Sequence, residues 1–186
     1  MKASGKNGSR FRTLDLTYIA TAAALIAVCS WISIPSVVPF TLQTFAVFCV
    51  LELLSGKRGT IAIVVYILLA VLGLPVLHGF SGGPGAVLGT TGGYLLGFIL
   101  IGLVYWLNEK LFGNRLPARI AALVLGLLLC YAFGTAWFMT VYARNSGPVG
   151  LETALGWCVF PFILPDLGKL ALAMLLASRL RKVIRI

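Results

Sequence analysis

Asp166 and Lys169 stand one helical turn apart in an otherwise apolar run, Phe160-Pro161-Phe162-Ile163-Leu164-Pro165-Asp166-Leu167-Gly168-Lys169. Residues at i and i+3 share one helix face. Such a pair can bind a ligand that carries both an anionic group and N–H donors: the ammonium pairs with the anion and the carboxylate accepts the hydrogen bonds. It can equally form a structural ion pair that cancels its own burial cost. Because ionisable groups are expensive inside hydrocarbon, the pair is a functional-site candidate. Pro165 suits the first position of a helix, where its missing N–H would be unpaired anyway. That placement would set Asp166 near a helix amino terminus, where the macrodipole favours a carboxylate.

Other side chains could complete a site. Tyr94 follows Gly92-Gly93 at the start of an apolar run, where its hydroxyl could reach a ligand from a pocket rim or serve as an interfacial anchor. Trp31, Phe40, Trp137 and Phe160 could wall an apolar cavity or simply pack. Covalent chemistry finds little support. His78 is the single histidine, and neither Gly56-Lys57 nor Gly168-Lys169 has the glycine five residues upstream that a phosphate-binding loop requires. The five acidic residues are dispersed at 15, 52, 109, 152 and 166. Cys29, Cys49, Cys130 and Cys158 fall singly in apolar runs, so metal or redox roles are not expected.

The elements that must position these residues are membrane spans. Of 186 residues, 60% are hydrophobic and 11% charged, against about 25% charged in soluble domains. Apolar runs cover Leu14–Ile34, Leu42–Leu54, Thr60–Leu77, Tyr94–Leu111, Ile120–Tyr142 and Leu155–Leu180. Each span needs roughly 20 residues to cross ~30 Å of hydrocarbon. The expectation is an all-α integral membrane protein of six transmembrane helices, with tails at 1–13 and 181–186 flanking a membrane domain at 14–180. The second run is short, so it should draw on residues from Pro39 onward.

Thirteen of fifteen cations sit at the amino terminus (Lys2, Lys6, Arg10, Arg12), at two alternate connections (Lys57, Arg58; Lys110, Arg115, Arg119) and at the carboxyl terminus (Arg179, Arg181, Lys182, Arg185). Arg144 alone marks the opposite connections, so both termini are expected in the cytoplasm. Topology and anionic lipid explain the net charge of +10 without nucleic acid. Glu52 is expected to reach the cytoplasmic interface beside Lys57 and Arg58. The outer side collects seven of eight prolines and a connection, Gly79–Gly93, holding seven glycines. Irregular backbone at membrane depth is tolerated where protein or a cavity satisfies it, which puts the expected pocket in the outer half, with a flexible surface loop as the plainer alternative. In the first span Ala20/Ala24 and Ala23/Ala27 form small-xxx-small pairs that let another helix approach closely, from this chain or a partner.

Taken in order, several segments resemble the BioY family, the biotin-binding S components of energy-coupling factor (ECF) vitamin transporters. They are Thr17-Tyr18-Ile19-Ala20 with Ala23 to Val28, Val38 to Val47, Gly56 to Gly59, Gly73 to Val76, Thr91 to Phe98 and Pro165 to Lys169. The resemblance implies an S-component bundle in a prokaryotic cell membrane that captures biotin outside and hands it inward without catalysis or cofactor. It implies docking on a transmembrane coupling protein with two cytoplasmic ATPase subunits, and leaves a homo-oligomer open. Tyr94, Asp166 and Lys169 match ligand-binding positions. Pro39–Gln43, including Phe40, Thr41 and Gln43, together with Gly92 and Gly93, would order as a lid. Trp31 and Phe160 would border the pocket. Ala20, Ala23, Ala24 and Ala27 match the coupling surface. Some members carry polar residues in the glycine-rich connection and an arginine in the fourth span. This chain has Leu88 and no arginine between Tyr94 and Leu111, which leaves Lys169 to share in holding the carboxylate. The alternatives are an S component for another vitamin, a solitary secondary transporter using Asp166 and Lys169, and a non-transport membrane scaffold that uses the alanine face.

Overall fold

The computed structural model describes residues 13–183. The expected amino-terminal tail (its first twelve residues) and the cations Lys2, Lys6, Arg10, Arg12 and Arg185 lie outside them. Helices run as α1 (Thr13–Trp31), α2 (Gln43–Val71), α3 (Pro84–Val87), α4 (Gly92–Phe112), α5 (Leu116–Ser146), α6 (Leu151–Cys158) and α7 (Phe160–Val183). A two-stranded antiparallel ribbon joins α1 to α2, with β1 (Ser33–Ile34) pairing β2 (Phe40–Thr41). Among the described residues, five helical stretches are long and apolar enough to cross a membrane: Thr13–Trp31, Gln43–Val71, Gly92–Phe112, Leu116–Ser146 and Leu151–Lys182.

The stretch Gln43–Val71 is folded back on itself at Ser55, whose φ of 68° and ψ of 165° break the helix. The Gln43 amide donates to the Tyr66 hydroxyl at 2.9 Å, whereas those residues would lie about 35 Å apart along a straight helix. A Cβ built on Gly59 would stand 3.0 Å from Leu51 Cα, so glycine lets the two arms meet. The arm 43–54 rises only about 18 Å, short of the ~30 Å hydrocarbon core. This explains the short second run: the chain enters as the β ribbon, and the arm begins well inside the bundle.

Contacts at the two ends set the helix directions. At one end Arg58 meets Asp15 at 2.8 Å, and Glu109 accepts the Gly56 N–H at 2.7 Å. Glu52 lies here too, but not at an interface. It is 1% exposed, accepts from the Tyr105 hydroxyl at 3.0 Å, and faces Arg119 at 3.3 Å and Arg181 at 3.9 Å. The expectation that it snorkels beside Lys57 and Arg58 is corrected. Arginines from α5 and α7 supply the countercharge that permits burial, so Glu52 ties the first arm of α2 to both helices. At the far end Ser30 donates to the Val76 carbonyl at 2.6 Å, and the Trp31 indole donates to Pro75 O at 2.9 Å. All eight described cations expected at the cytoplasmic connections and carboxyl terminus belong to elements meeting at the Glu52 end.

The last apolar run is broken at Val159, between α6 and α7. Pro161, not Pro165, occupies the first turn of α7, and Pro165 lies inside that helix. The expected helix start at Pro165 is therefore corrected, and with it the macrodipole argument for Asp166. A proline one turn in leaves the Pro161 carbonyl without its usual donor, a defect tolerated in spans where neighbours or a cavity meet the freed group. The alanine stripe divides: Ala23 and Ala27 are buried inside the bundle, while Ala20 and Ala24 face outward.

Candidate functional site

Asp166 and Lys169 lie one turn apart on α7, 2.8 Å from each other and 2% and 8% exposed. The Lys169 ammonium has three protons, and the structure gives each an acceptor: Thr41 O at 2.7 Å, Thr44 Oγ1 at 3.0 Å and Asp166 Oδ1 at 2.8 Å. Its Nζ also sits 4.1 Å from the Phe40 ring centroid, a cation–π contact, and Phe40 in turn stacks on Phe162. Lys169 thereby ties the β ribbon and the first turn of α2 to α7. Asp166 accepts additionally from Thr44 on Oδ1 at 3.0 Å and from the Tyr131 hydroxyl on Oδ2 at 2.7 Å. A carboxylate has about four acceptor positions, so Oδ2 keeps one for a guest. Neither Thr44 nor Tyr131 is legible as a site residue in the sequence, because a hydroxyl in an apolar run carries no pattern that separates it from packing.

Both groups border a partly open cavity of about 270 Å³ between the β ribbon, α2, the Leu77–Thr91 connection, α4, α5 and α7. Thr41, Gln43 and Tyr94 share that lining. Tyr94 bonds Thr135 at 3.0 Å through their hydroxyls, and its ring packs where a Cβ at position 134 would stand, so Gly134 is required. Gln43 is 5% exposed. The Tyr66 proton points to Val76 O at 3.1 Å, so the Tyr66 oxygen must accept from Gln43, which fixes the orientation of the amide. Among the described residues no donor reaches Gln43 Oε1. Two acceptors, Asp166 Oδ2 and Gln43 Oε1, therefore remain available for N–H groups of a guest.

The remaining expected residues lie differently. Phe40 touches the site through Lys169, and Gly92 and Gly93 let α4 approach Val87 and Trp137 without bordering the cavity. Trp31 packs on Phe80, Trp137 donates to Gly89 O at 3.0 Å, and Phe160 is 62% exposed; none of the three borders the cavity. The Gly79–Gly93 connection is partly ordered, with a 3-10 turn at His78–Phe80 and the short α3, and it forms one wall. His78 lies on that wall, where burial holds its imidazole below the usual value and so neutral at pH 7.

A net-neutral ion pair on the wall of an apolar cavity, with hydroxyls and an amide fixed around it, suits reversible binding of a small polar molecule. The fold is that of a helical membrane protein with a polar-lined cavity between its helices. The BioY family model matches residues 2–186, and the chain belongs to that family. It is 42% identical over 165 residues to the biotin transporter BioY of Thermotoga maritima, covering 86% of this chain and 91% of the relative. It is 38% identical over 151 residues to the biotin transporter BioY2 of Lactococcus lactis subsp. cremoris, covering 80% and 81%. Its fold is similar to the crystal structure at 2.1 Å of the S-component for biotin from an ECF-type ABC transporter. The TM-score is 0.78 at 30% identity, over 93% of this chain and 95% of that one.

Proposed function

We propose that this protein is the biotin-capturing S component of an ECF-type transporter, and that Asp166, Gln43, Tyr94 and the Lys169-pinned ribbon form its binding site. The observation that carries the reading is the buried Asp166–Lys169 pair on the cavity wall, in a chain of the BioY family. The ureido ring of biotin has two N–H donors that would be costly to bury unpaired. Asp166 Oδ2 and Gln43 Oε1 are the acceptors that meet them, and the apolar lining takes the sulfur-containing ring and the aliphatic tail. No covalent step is involved.

In this reading the chain crosses the cell membrane of a prokaryote six times, the two arms of α2 counting separately, and both termini are cytoplasmic. The cationic Glu52 end faces inward, and the ribbon with the Leu77–Thr91 connection closes over biotin from outside. Ala20 and Ala24 are the part of the alanine stripe left free for the transmembrane coupling protein, through which two partner ATPases drive release. The test is equilibrium binding of labelled biotin by detergent-purified protein, with riboflavin, thiamine and folate as competitors. Only unlabelled biotin should compete, and Asp166→Ala should abolish binding without unfolding the protein. Displacement by another vitamin, or wild-type affinity in the variant, would overturn the assignment.

A further inference from the structure

The ligand site carries an ion pair but no net charge, and that has consequences for what it can discriminate. Lys169 is the only formally charged cation bordering the cavity among the described residues. Its three protons already go to Thr41, Thr44 and Asp166. An anionic group could reach Nζ only by displacing one of them, and it would then sit beside the Asp166 carboxylate. Like charges that close repel strongly in a low-dielectric site. A neutral group with N–H donors and a carbonyl suffers no such conflict, because it matches the dipole of the pair.

The rest of the polar lining is uncharged. Besides Gln43, Tyr94 and Tyr131, it comprises the hydroxyls of Ser81, Thr90 and Thr91, the thiols of Cys130 and Cys158, and His78, which burial keeps neutral. The amino end of α4 begins at Gly92 with no side-chain cap. It adds only a fraction of a unit charge, an effect that fades within a turn. Hydroxyls and a helix end hydrogen-bond a carboxylate more strongly than an ester or amide oxygen, but the carboxylate costs more to desolvate, which offsets much of that gain.

We propose that the cavity selects its ligand by the uncharged ring end and is nearly indifferent to charge on the tail, so that carboxyl-capped biotin (its methyl ester and its primary amide) is also a ligand of this protein. This rests on the biotin reading above and extends it to a class of neutral tail derivatives. A site holding the tail carboxylate in a buried ion pair would instead lose about 30-fold or more when that charge is removed, the equivalent of breaking a desolvated charge pair.

The experiment is competition against labelled biotin on the detergent-purified full chain, using biotin, biotin methyl ester, biotinamide and biotin carrying a methoxycarbonyl group on a ureido nitrogen. The ester and amide should bind within about 30-fold of biotin, and the ureido-blocked compound should fall beyond that limit. Ester and amide both weakened by more than 30-fold, with biotin itself bound, would overturn the proposal and leave the biotin reading standing. A ureido-blocked compound that binds like biotin would overturn the ring-end recognition on which it depends. Failure of biotin itself to bind would instead sink the assigned function.

Discussion

Replacing Lys169 with methionine, alone and together with Asp166→Leu, separates a pair kept for a ligand from a pair kept for the fold. In the single variant Asp166, 2% exposed, loses its countercharge and keeps only the Thr44 and Tyr131 hydroxyls. Breaking a buried pair from one side costs about 3–5 kcal/mol. The two remaining donors place this site at the lower end, about 3 kcal/mol. The double variant buries no charge. It leaves the Thr44 and Tyr131 hydroxyls short of an acceptor at roughly 1 kcal/mol each, partly offset because two ions no longer need desolvating. The double variant should therefore be more stable than the single by about 1–2 kcal/mol, or some 2–8 °C in melting temperature at 2–4 °C per kcal/mol. Neither variant should bind biotin. Thermal unfolding of detergent-purified protein, with and without biotin, reads both quantities. A double variant that still binds biotin would show that the pair is scaffolding. One no more stable than the single would refute the electrostatic reasoning.

At the other end of the bundle, Glu52→Ala strands Arg119 and Arg181 and should cost about 3 kcal/mol while leaving biotin affinity in folded protein unchanged; a matching loss of affinity would contradict the separation of the two ends. Gly134→Ala pushes a methyl group into the Tyr94 ring and should cost roughly 1–3 kcal/mol and weaken binding, detectable by melting and titration, whereas a neutral outcome would refute the close packing of α4 on α5. Gln43→Leu should lower biotin affinity by about tenfold, one hydrogen bond in a buried site, and an unchanged dissociation constant would remove Gln43 from the site. Ala20→Trp with Ala24→Trp should leave binding intact and abolish ATP-driven uptake in liposomes holding the full complex; normal uptake would move the coupling surface elsewhere. His78 is held below its ordinary value by burial, so the unfolded chain takes up protons first, and stability present above about pH 6.5 is lost as pH falls through the depressed value. Melting temperature should fall more steeply from pH 7.5 to 5 in wild type than in His78→Gln, and parallel curves would contradict this.

The parts legible in the sequence were those that hydrocarbon makes expensive. Apolar runs of span length, cations confined to alternate connections, and an Asp–Lys pair inside a run all carry a cost that packing alone does not explain. What was hidden depends on contacts between distant positions. Thr44 and Tyr131 reach Asp166 across 122 and 35 residues, and hydroxyls along a helix buried on all sides look alike in one dimension. Glu52 reads as an interface residue because Lys57 and Arg58 are close in sequence, while its arginine partners lie on α5 and α7. Pro165 is ambiguous for a local reason: two prolines four apart both suit a helix start, and the break at Val159 gives that place to Pro161. The alanine stripe was visible, but only the packing of α1 divides Ala23 and Ala27 from Ala20 and Ala24.

The most direct measurement is a density map of the protein crystallised with biotin. The expected result is the ureido ring in the cavity of about 270 Å³, its N–H groups within hydrogen-bond distance of Asp166 Oδ2 and Gln43 Oε1, and Lys169 still holding Thr41. Biotin bound elsewhere, or its carboxylate lodged against the Lys169 ammonium, would contradict it.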